Sequence, residues 1–127
     1  YVEGMWLALQ QEKAEDYVFA TGAQRSIRDF VVEAFGICGF DIEWQGEGLK
    51  EKGVDRNSGK VLIEVDPKFF RPAEVGTLIG DASKAREKLG WEPRVKYSEL
   101  VRIMVKEDLL HKGLDPSEFM TSPDSQA

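Results

Sequence analysis

The fold of this chain of 127 residues is organised around ten of them near its middle, DPKFFRPAEV at 66–75. They follow a short apolar run at 61–65 and lead towards Gly80 and Asp81, which start a predicted helix. Each of the two prolines fixes its own φ angle and keeps the preceding residue extended. We therefore predict a structured loop between a strand and a helix, anchored on a core by Phe69 and Phe70.

Arg71 and Glu74 are the residues of this loop with binding chemistry. A held arginine presents a planar fork of donors that matches phosphate or carboxylate, and a carboxylate accepts hydrogen bonds from sugar hydroxyls. The pair is therefore suited to a nucleotide sugar. The residues alone favour a simpler alternative, in which the two side chains pair with each other or with solvent.

Composition indicates one small globular domain and excludes several classes of partner. The chain is 42% hydrophobic and its net charge is -6, with 17 basic residues scattered along it. A scattered basic content predicts no nucleic-acid partner, and no run approaches the roughly 20 apolar residues that span a bilayer. Cys38 is the only cysteine, so an internal disulfide is excluded and a cytoplasmic location is the simplest interpretation.

Apolar spacing predicts most elements of the first half of the chain. A helix from the start to about residue 12 has an apolar stripe, a short buried strand is predicted at 17–20, and another strand at 41–45. Between them, Ser26 and Asp29 predict a capping box for a second helix. Gly46 to Gly59 is predicted to be a mobile loop. The stripes of the two helices comprise Val2, Met5, Trp6 and Leu9, and Ile27, Phe30, Val31, Ala34, Phe35 and Cys38.

In the second half, a strand is predicted at 61–65, and Asp81 is the predicted N-cap of a helix that ends at Gly90. The last predicted helix runs from about Ser98 to about Leu110, with Leu100, Val101, Met104 and Val105 on its buried side. Together these elements predict a compact α/β unit with about three short strands. We expect a domain at 1–113, which starts inside a helix as a piece of a longer polypeptide would, and a flexible tail at 114–127.

Catalytic chemistry is mostly missing from the sequence. Cys38 lies on an apolar stripe and is predicted to be a core residue rather than a nucleophile. Neither it nor His111 has a partner at metal-ligand spacing. Gly46-x-Gly48 lacks the third glycine and the strand-to-helix context of a dinucleotide-binding motif. Taken alone, the chain is therefore predicted to be a binding unit.

Four motifs of the chain are distinctive: YVEGMWLALQQ at 1–11, ATG at 20–22 followed by SIRDF at 26–30, DPKFFRPAEV at 66–75, and GDASKA at 80–85 continuing to LGWEP at 89–93. Together, from Tyr1 to about Leu110, they resemble the C-terminal part of GDP-mannose 4,6-dehydratases. The Leu-Gly-Trp-x-Pro motif at 89–93 is shared by many extended short-chain dehydrogenase/reductases that act on nucleotide sugars, whereas the Arg-Pro-Ala-Glu-Val motif at 71–75 is more specific.

The resemblance implies an α/β fold class, the small C-terminal substrate-binding subdomain of an extended short-chain dehydrogenase/reductase, without its Rossmann half. It implies that Arg71 contacts the diphosphate of a GDP-sugar and that Glu74 holds ribose hydroxyls. With the resemblance, ligand binding is therefore favoured over the simpler alternative, in which the two side chains pair with each other or with solvent. Arg25, just before the second helix, is a weaker substrate-binding candidate because the family varies there.

The resemblance implies a reaction that converts GDP-mannose to GDP-4-dehydro-6-deoxy-mannose, a precursor of GDP-fucose, with NADP as cofactor. It also implies that the full enzyme is a homo-oligomer. Its glycine-rich loop, its Thr and Glu acid/base pair and its Tyr-x-x-x-Lys couple lie upstream of the matching region. This segment is therefore expected to contain no catalytic, cofactor-binding or metal-binding residue.

Two other interpretations remain open from the sequence. One is the equivalent part of an epimerase or reductase acting on another nucleotide sugar. The other is a non-catalytic protein-interaction module, which the apolar stripe of the first helix supports.

Overall fold

The computed structural model describes residues 1–71, 76 and 78–121. The chain divides into two compact units, Tyr1–Arg25 with Val75–Lys96, and Ser26–Glu74 with Tyr97–Ala127. Helices and a sheet are both present, as predicted. In chain order the elements are helix α1 (Val2–Leu9), helix α2 (Ile27–Ile37), strand β1 (Ile42–Gln45), a 3-10 turn (Gly48–Lys50), strands β2 (Lys52–Asp55) and β3 (Val61–Glu64), and helices α3 (Ser83–Leu89), α4 (Tyr97–His111) and α5 (Pro116–Phe119).

The first unit is built around Trp91. Its indole packs with Ala82 and Ala85 of the α3 region in a small buried core, and the ring of Phe19 meets it edge-on at 4.9 Å between centroids. Leu7 of α1 packs against the same cluster. The aromatic pair and the two alanines let α1 and α3 approach closely around one large side chain.

Helix α1 forms as predicted but buries a different face. Its residues facing the core are Gly4 and Leu7, because a methyl group added at Gly4 would lie 2.6 Å from the Phe19 ring. Nearly every position of α1 is apolar, so periodicity could not identify the face that packs. The predicted stripe is exposed instead, at 80% for Val2, 57% for Met5, 58% for Trp6 and 82% for Leu9.

The predicted strand at 17–20 is wrong. Within the described residues this stretch has no regular secondary structure and pairs with no strand. Side chains hold the neighbouring residues to α3 instead. Glu15 accepts hydrogen bonds from Lys88 and pairs with Lys84, whose ammonium group also donates to the Asp16 carbonyl. The two lysines lower the pKa of Glu15 to about 2. An ion-pair cluster, rather than a ladder of backbone hydrogen bonds, therefore fixes this segment.

Helix α3 starts later than predicted. Asp81 precedes the boundary residue Ala82, and its carboxylate accepts hydrogen bonds from the backbone N–H and the hydroxyl of Ser83. The carboxylate thus satisfies a backbone N–H of the first turn, although Asp81 lies one residue before the N-cap position. Gly90 ends the helix, as predicted, and adopts the left-handed conformation at φ 64°.

Helix α2 of the second unit confirms the predicted capping box. The Ser26 hydroxyl accepts from the Asp29 N–H, and the Asp29 carboxylate accepts from the Ser26 N–H, both at 3.0 Å. The helix packs on α4 and on β1, and Ile37 is buried. Ile27, predicted to lie on the buried stripe, is exposed.

The three-stranded sheet is antiparallel, in the order β1-β2-β3. Its outer strands confirm the predictions at 41–45 and 61–65. The central strand β2 lies within the stretch predicted to be a mobile loop, so that prediction is wrong for Lys52–Asp55. The strand reads Lys-Gly-Val-Asp and lacks apolar alternation, because a glycine and a buried carboxylate occupy its inward positions.

Helix α4 agrees with its predicted bounds to within one residue, and Val101 is fully buried as predicted. Leu100 and Met104 are exposed. Within the stretch predicted to be a tail, Pro116–Phe119 forms helix α5, whose N-cap Asp115 accepts a hydrogen bond from the Ser117 N–H. The division into 1–113 and a tail at 114–127 stays a prediction.

The segment after α5 docks on the end of α2. The Thr121 N–H donates to the Ile37 carbonyl at 2.7 Å, and Arg102 of α4 donates to the Thr121 carbonyl at 2.7 Å. Ile37 is the last residue of α2, so its carbonyl has no helical partner of its own. Thr121 therefore completes the hydrogen bonding of that helix end.

Gly53→Ala is expected to destabilise the chain by about 1–3 kcal/mol, because the new methyl would lie 2.7 Å from Ile63 and 3.2 Å from Ile42. Urea unfolding of wild type and variant measures the difference. Gly76→Ala is the matched control, since a methyl there meets no described residue within 4 Å. Equal losses in the two variants would show that the close strand packing at Gly53 is not limiting.

Candidate functional site

The candidate loop begins where β3 ends. The Asp66 carboxylate accepts from the Lys68 N–H at 2.8 Å, and the Asp66 carbonyl accepts from the Phe69 N–H at 3.0 Å. These two bonds form a turn around Pro67, whose fixed φ suits that position. The first half of the loop is therefore structured, as predicted.

The two phenylalanines do not anchor it. Phe69 is 73% exposed and Phe70 is also exposed, so the prediction that they insert into a core is wrong. The Lys68 ammonium group lies over the exposed Phe69 ring, 5.4 Å from its centroid, which is within the range of a cation–π contact. Backbone and Asp66 hydrogen bonds, rather than apolar burial, determine the local conformation.

Arg71 lies exposed directly after this turn, in the second unit. Glu74, the second predicted binding residue, lies outside the described residues. Arg25 ends the first of the two segments of the first unit and is exposed next to the N-cap Ser26. Its guanidinium donates to the Gln24 carbonyl at 3.5 Å. Arg71 and Arg25 thus belong to different units.

A buried carboxylate fixes the hairpin that presents the loop. Asp55, at the end of β2, accepts from the N–H groups of Asp41, Asn57 and Ser58 and from the Ser58 hydroxyl. The turn also closes through Asp55 N–H to the Lys60 carbonyl at 2.9 Å. The Ser58 hydroxyl, followed by the backbone donors, holds the pKa of Asp55 below its usual value although burial opposes this. These bonds set where β3 starts and hence where the loop leaves the sheet.

A groove of about 870 Å³ in the second unit is unsuited to a diphosphate. Three carboxylates, from Asp29, Glu33 and Asp41, lie along it, together with Val32, Phe40 and Ile42. Negative charge of this density repels a phosphate anion. The loop at 66–75, which we call the Arg71 loop, is the better candidate for an anionic ligand. Its exposed side chains include Lys68 and Arg71.

Other chemistry is sparse in the described part of the chain. Burial raises the pKa of the Cys38 thiol, which disfavours the nucleophilic thiolate and agrees with the predicted packing role. Among the residues at 1–71, 76 and 78–121, no group of three His, Cys, Asp or Glu could hold a metal ion. In the same residues, no helix is both long and apolar enough to cross a bilayer.

Comparison with known families decides the classification. A family model described as GDP-mannose 4,6 dehydratase matches residues 1–104. The chain belongs to the GDP-mannose 4,6-dehydratase family. The predicted resemblance is therefore confirmed, and with it the expectation that the segment corresponds to the C-terminal part of such proteins.

Relatives from distant organisms agree on the family. The chain is 50% identical over 109 residues to a GDP-mannose 4,6-dehydratase of Sinorhizobium fredii (strain HH103), covering 86% of this chain and 31% of the relative. It is 49% identical over 109 residues to the GDP-mannose 4,6 dehydratases of Drosophila melanogaster and Homo sapiens, again covering 86% of this chain, and 28% and 29% of those relatives. The chain therefore spans under a third of the length of these curated relatives.

Two residues of the site region were not predicted from the sequence. Lys68 is a second exposed cation in the Arg71 loop. A basic residue three positions before Arg71 is the sequence feature that indicates it. Asp55 was assigned to a mobile loop, although the sequence Asp-Arg-Asn-Ser-Gly at 55–59 has the composition of a hairpin turn. Attention to turn chemistry would have identified the hairpin.

Asp55→Asn is expected to lower the thermal midpoint at neutral pH, because the amide replaces an ionised acceptor of several hydrogen bonds. Ionised Asp55 has a pKa below its unfolded value of about 3.9, so it stabilises the fold above that pH and loses this effect as the pH falls through the folded pKa. Thermal melts from neutral pH downwards should therefore show the gap to wild type narrowing below about pH 4.

Asn57→Ala is the control, because it keeps the backbone N–H that Asp55 accepts. It should leave the pH dependence as in wild type. A gap for Asp55→Asn that is constant with pH would contradict the assigned role of the ionised carboxylate.

Proposed function

We propose that this chain is the C-terminal, substrate-binding portion of a GDP-mannose 4,6-dehydratase, an extended short-chain dehydrogenase/reductase, and that it holds the GDP moiety of GDP-mannose. The observation that carries the proposal is the match of the family model to residues 1–104. The exposed basic loop that follows β3 supports it, because the ligand would carry two negatively charged phosphates.

Arg71 is the proposed diphosphate contact. A guanidinium donates two parallel N–H bonds to phosphate oxygens, and such charge-assisted pairs are stronger than neutral hydrogen bonds. The turn formed by Asp66, Lys68 and Phe69 restricts the backbone just ahead of Arg71. A restricted loop loses less conformational entropy when its arginine engages a ligand.

Glu74 is the proposed ribose contact, and Arg25 a weaker third contact. A carboxylate accepts from both hydroxyls of a ribose, which suits Glu74 to the guanosine sugar. The assignment of Glu74 rests on the sequence, since this residue lies outside the described part. Arg25 is proposed only because it precedes the N-cap of α2 and projects at an exposed position.

The full enzyme would be an NADP-dependent lyase that converts GDP-mannose to GDP-4-dehydro-6-deoxy-mannose, a precursor of GDP-fucose. The described residues do not fit the dinucleotide: Gly46 and Gly48 lie in the connection between two antiparallel strands, not between a strand and a helix. We assign cofactor binding and catalysis to the N-terminal region of such an enzyme. A homo-oligomeric assembly and a cytoplasmic location are part of the same proposal.

Arg71→Ala is expected to weaken GDP binding by roughly tenfold to a hundredfold, because a charge-assisted bond to phosphate is lost. Isothermal titration of the chain with GDP measures this. Arg56→Ala is the matched control, an exposed arginine of the hairpin that pairs with Asp41 and Glu43. In a complete enzyme, Arg71→Ala should raise the KM for GDP-mannose and leave NADP affinity near that of wild type. Equal GDP affinity in wild type and Arg71→Ala would refute the diphosphate assignment.

Glu74→Gln is expected to weaken binding of GDP but to have little effect on 2′,3′-dideoxy-GDP, because only the former presents the ribose hydroxyls. Titration of both proteins with both nucleotides gives a double-mutant cycle whose coupling isolates this contact. Additive effects in the cycle would mean that Glu74 does not bind the ribose.

A further inference from the structure

A pocket of about 270 Å³ lies between α2 and α4 in the second unit; we call it the α2/α4 pocket. Its α2 side contains two small residues one helical turn apart, Ala34 and Cys38. On the α4 side, Val105 and Leu109 line it at the same spacing. Because neither residue on the α2 side is large enough to fill the space between the helices, a gap remains. The side chains around such a gap lose packing contacts unless a guest molecule fills it.

Aromatic rings make the lining of the α2/α4 pocket strongly apolar. Phe35 and Phe40 both line it and meet edge to face, with 5.9 Å between their ring centroids. Phe40 is exposed, so part of its surface is open to an incoming molecule. Burial also raises the pKa of the Cys38 thiol, as expected for a group in apolar surroundings. The pocket therefore suits a compact apolar body, and an aromatic one can pack on these rings.

Two opposite charges lie at the exposed edge of the same pocket. Asp108 and Lys112 line it, one turn apart on α4, at a spacing that allows a carboxylate and an ammonium group to pair. Within the part of the chain that the structure describes, no ion pair joins them and neither has another ion-pair partner. Charge complementarity therefore favours a ligand with an ammonium group and a carboxylate next to its apolar body. A ligand with a single charge would leave one of the two residues unmatched.

We propose that the α2/α4 pocket binds a free α-amino acid with an apolar side chain, an aromatic one such as phenylalanine in particular. The ligand's side chain fills the gap beside Ala34 and Cys38. Its ammonium group donates to the Asp108 carboxylate, and its carboxylate accepts from the Lys112 ammonium group. Charge-assisted hydrogen bonds of this kind are stronger than neutral ones.

The size of the pocket agrees with such a ligand. Pockets for drug-sized molecules begin at roughly 300 Å³, so a volume of about 270 Å³ suits a molecule of amino-acid size. The pocket shares no residue with the Arg71 loop. This inference therefore does not depend on the proposed function.

The thiol of Cys38 reports occupancy, because it lines the pocket and is the only cysteine of the chain. The 127-residue chain is treated with dithiodipyridine, a disulfide reagent that does not react with amines, at rising concentrations of L-phenylalanine. Phenylalanine should slow the reaction until the effect saturates, and isothermal titration gives an independent dissociation constant. Phenethylamine, which lacks the carboxylate, and 3-phenylpropionate, which lacks the ammonium group, should each bind roughly tenfold to a hundredfold more weakly.

Variants of the two charges assign the contacts. In Asp108→Asn the advantage of phenylalanine over 3-phenylpropionate should disappear, because the ammonium group has lost its partner. In Lys112→Gln the advantage over phenethylamine should disappear for the corresponding reason. Glu107→Gln is the matched control, an exposed carboxylate of the same helix outside the described lining, and should keep both advantages. Each comparison is a double-mutant cycle between protein and ligand, whose coupling isolates one contact.

Either of two results would overturn the inference. One is an unchanged Cys38 reaction rate together with no binding heat for phenylalanine up to about 10 mM. The other is equal binding of all three probes to the wild-type chain, since the pocket would then recognise apolar surface alone. Thermal melts should give similar midpoints for all variants, because the substituted side chains are exposed. No readout uses GDP, so failure of the nucleotide assignment leaves this result unaffected.

Discussion

The carboxylate of Asp55 is the constraint on which the second unit depends. It lies buried at the end of the central strand and accepts four hydrogen bonds from three residues. A buried charge is tolerated only when donors of this kind replace water. Because Asp41 donates from the start of β1 and Ser58 from the hairpin turn, one side chain joins β1, β2 and the turn. This junction fixes the position of β3, and the Arg71 loop begins where β3 ends.

Helix boundaries could be predicted well because their signals are local. Ser26 with Asp29, and Gly90, are single positions whose side-chain chemistry or backbone freedom determines a helix end. Asp81 was misplaced by one residue, since an aspartate satisfies the same donor from two neighbouring positions. The bounds of α4 followed from apolar spacing over many residues, which averages out individual exceptions.

Strands and buried faces were harder because they depend on distant residues. The central strand contains Gly53, which carries no apolar signal and is present because Ile63 and Ile42 occupy its space. The stretch at 17–20 has the composition of a strand, yet charges on Lys84 and Lys88 hold its neighbours to a helix instead. Neither outcome is encoded within a few residues of the sequence. For the candidate site, the turn before Arg71 was predictable from its prolines, whereas the exposure of Phe69 was not.

The hydrogen bonds of Thr121 have a practical consequence for choosing the ends of a recombinant fragment. The family match stops at residue 104, in the middle of α4, whereas the contact of Thr121 with the Ile37 carbonyl lies well beyond it. A fragment cut at the homology boundary would sever α4 and remove the group that completes the end of α2. The physical boundary of this unit is therefore set by a hydrogen bond rather than by sequence similarity, and a fragment designed for solution work should retain Thr121.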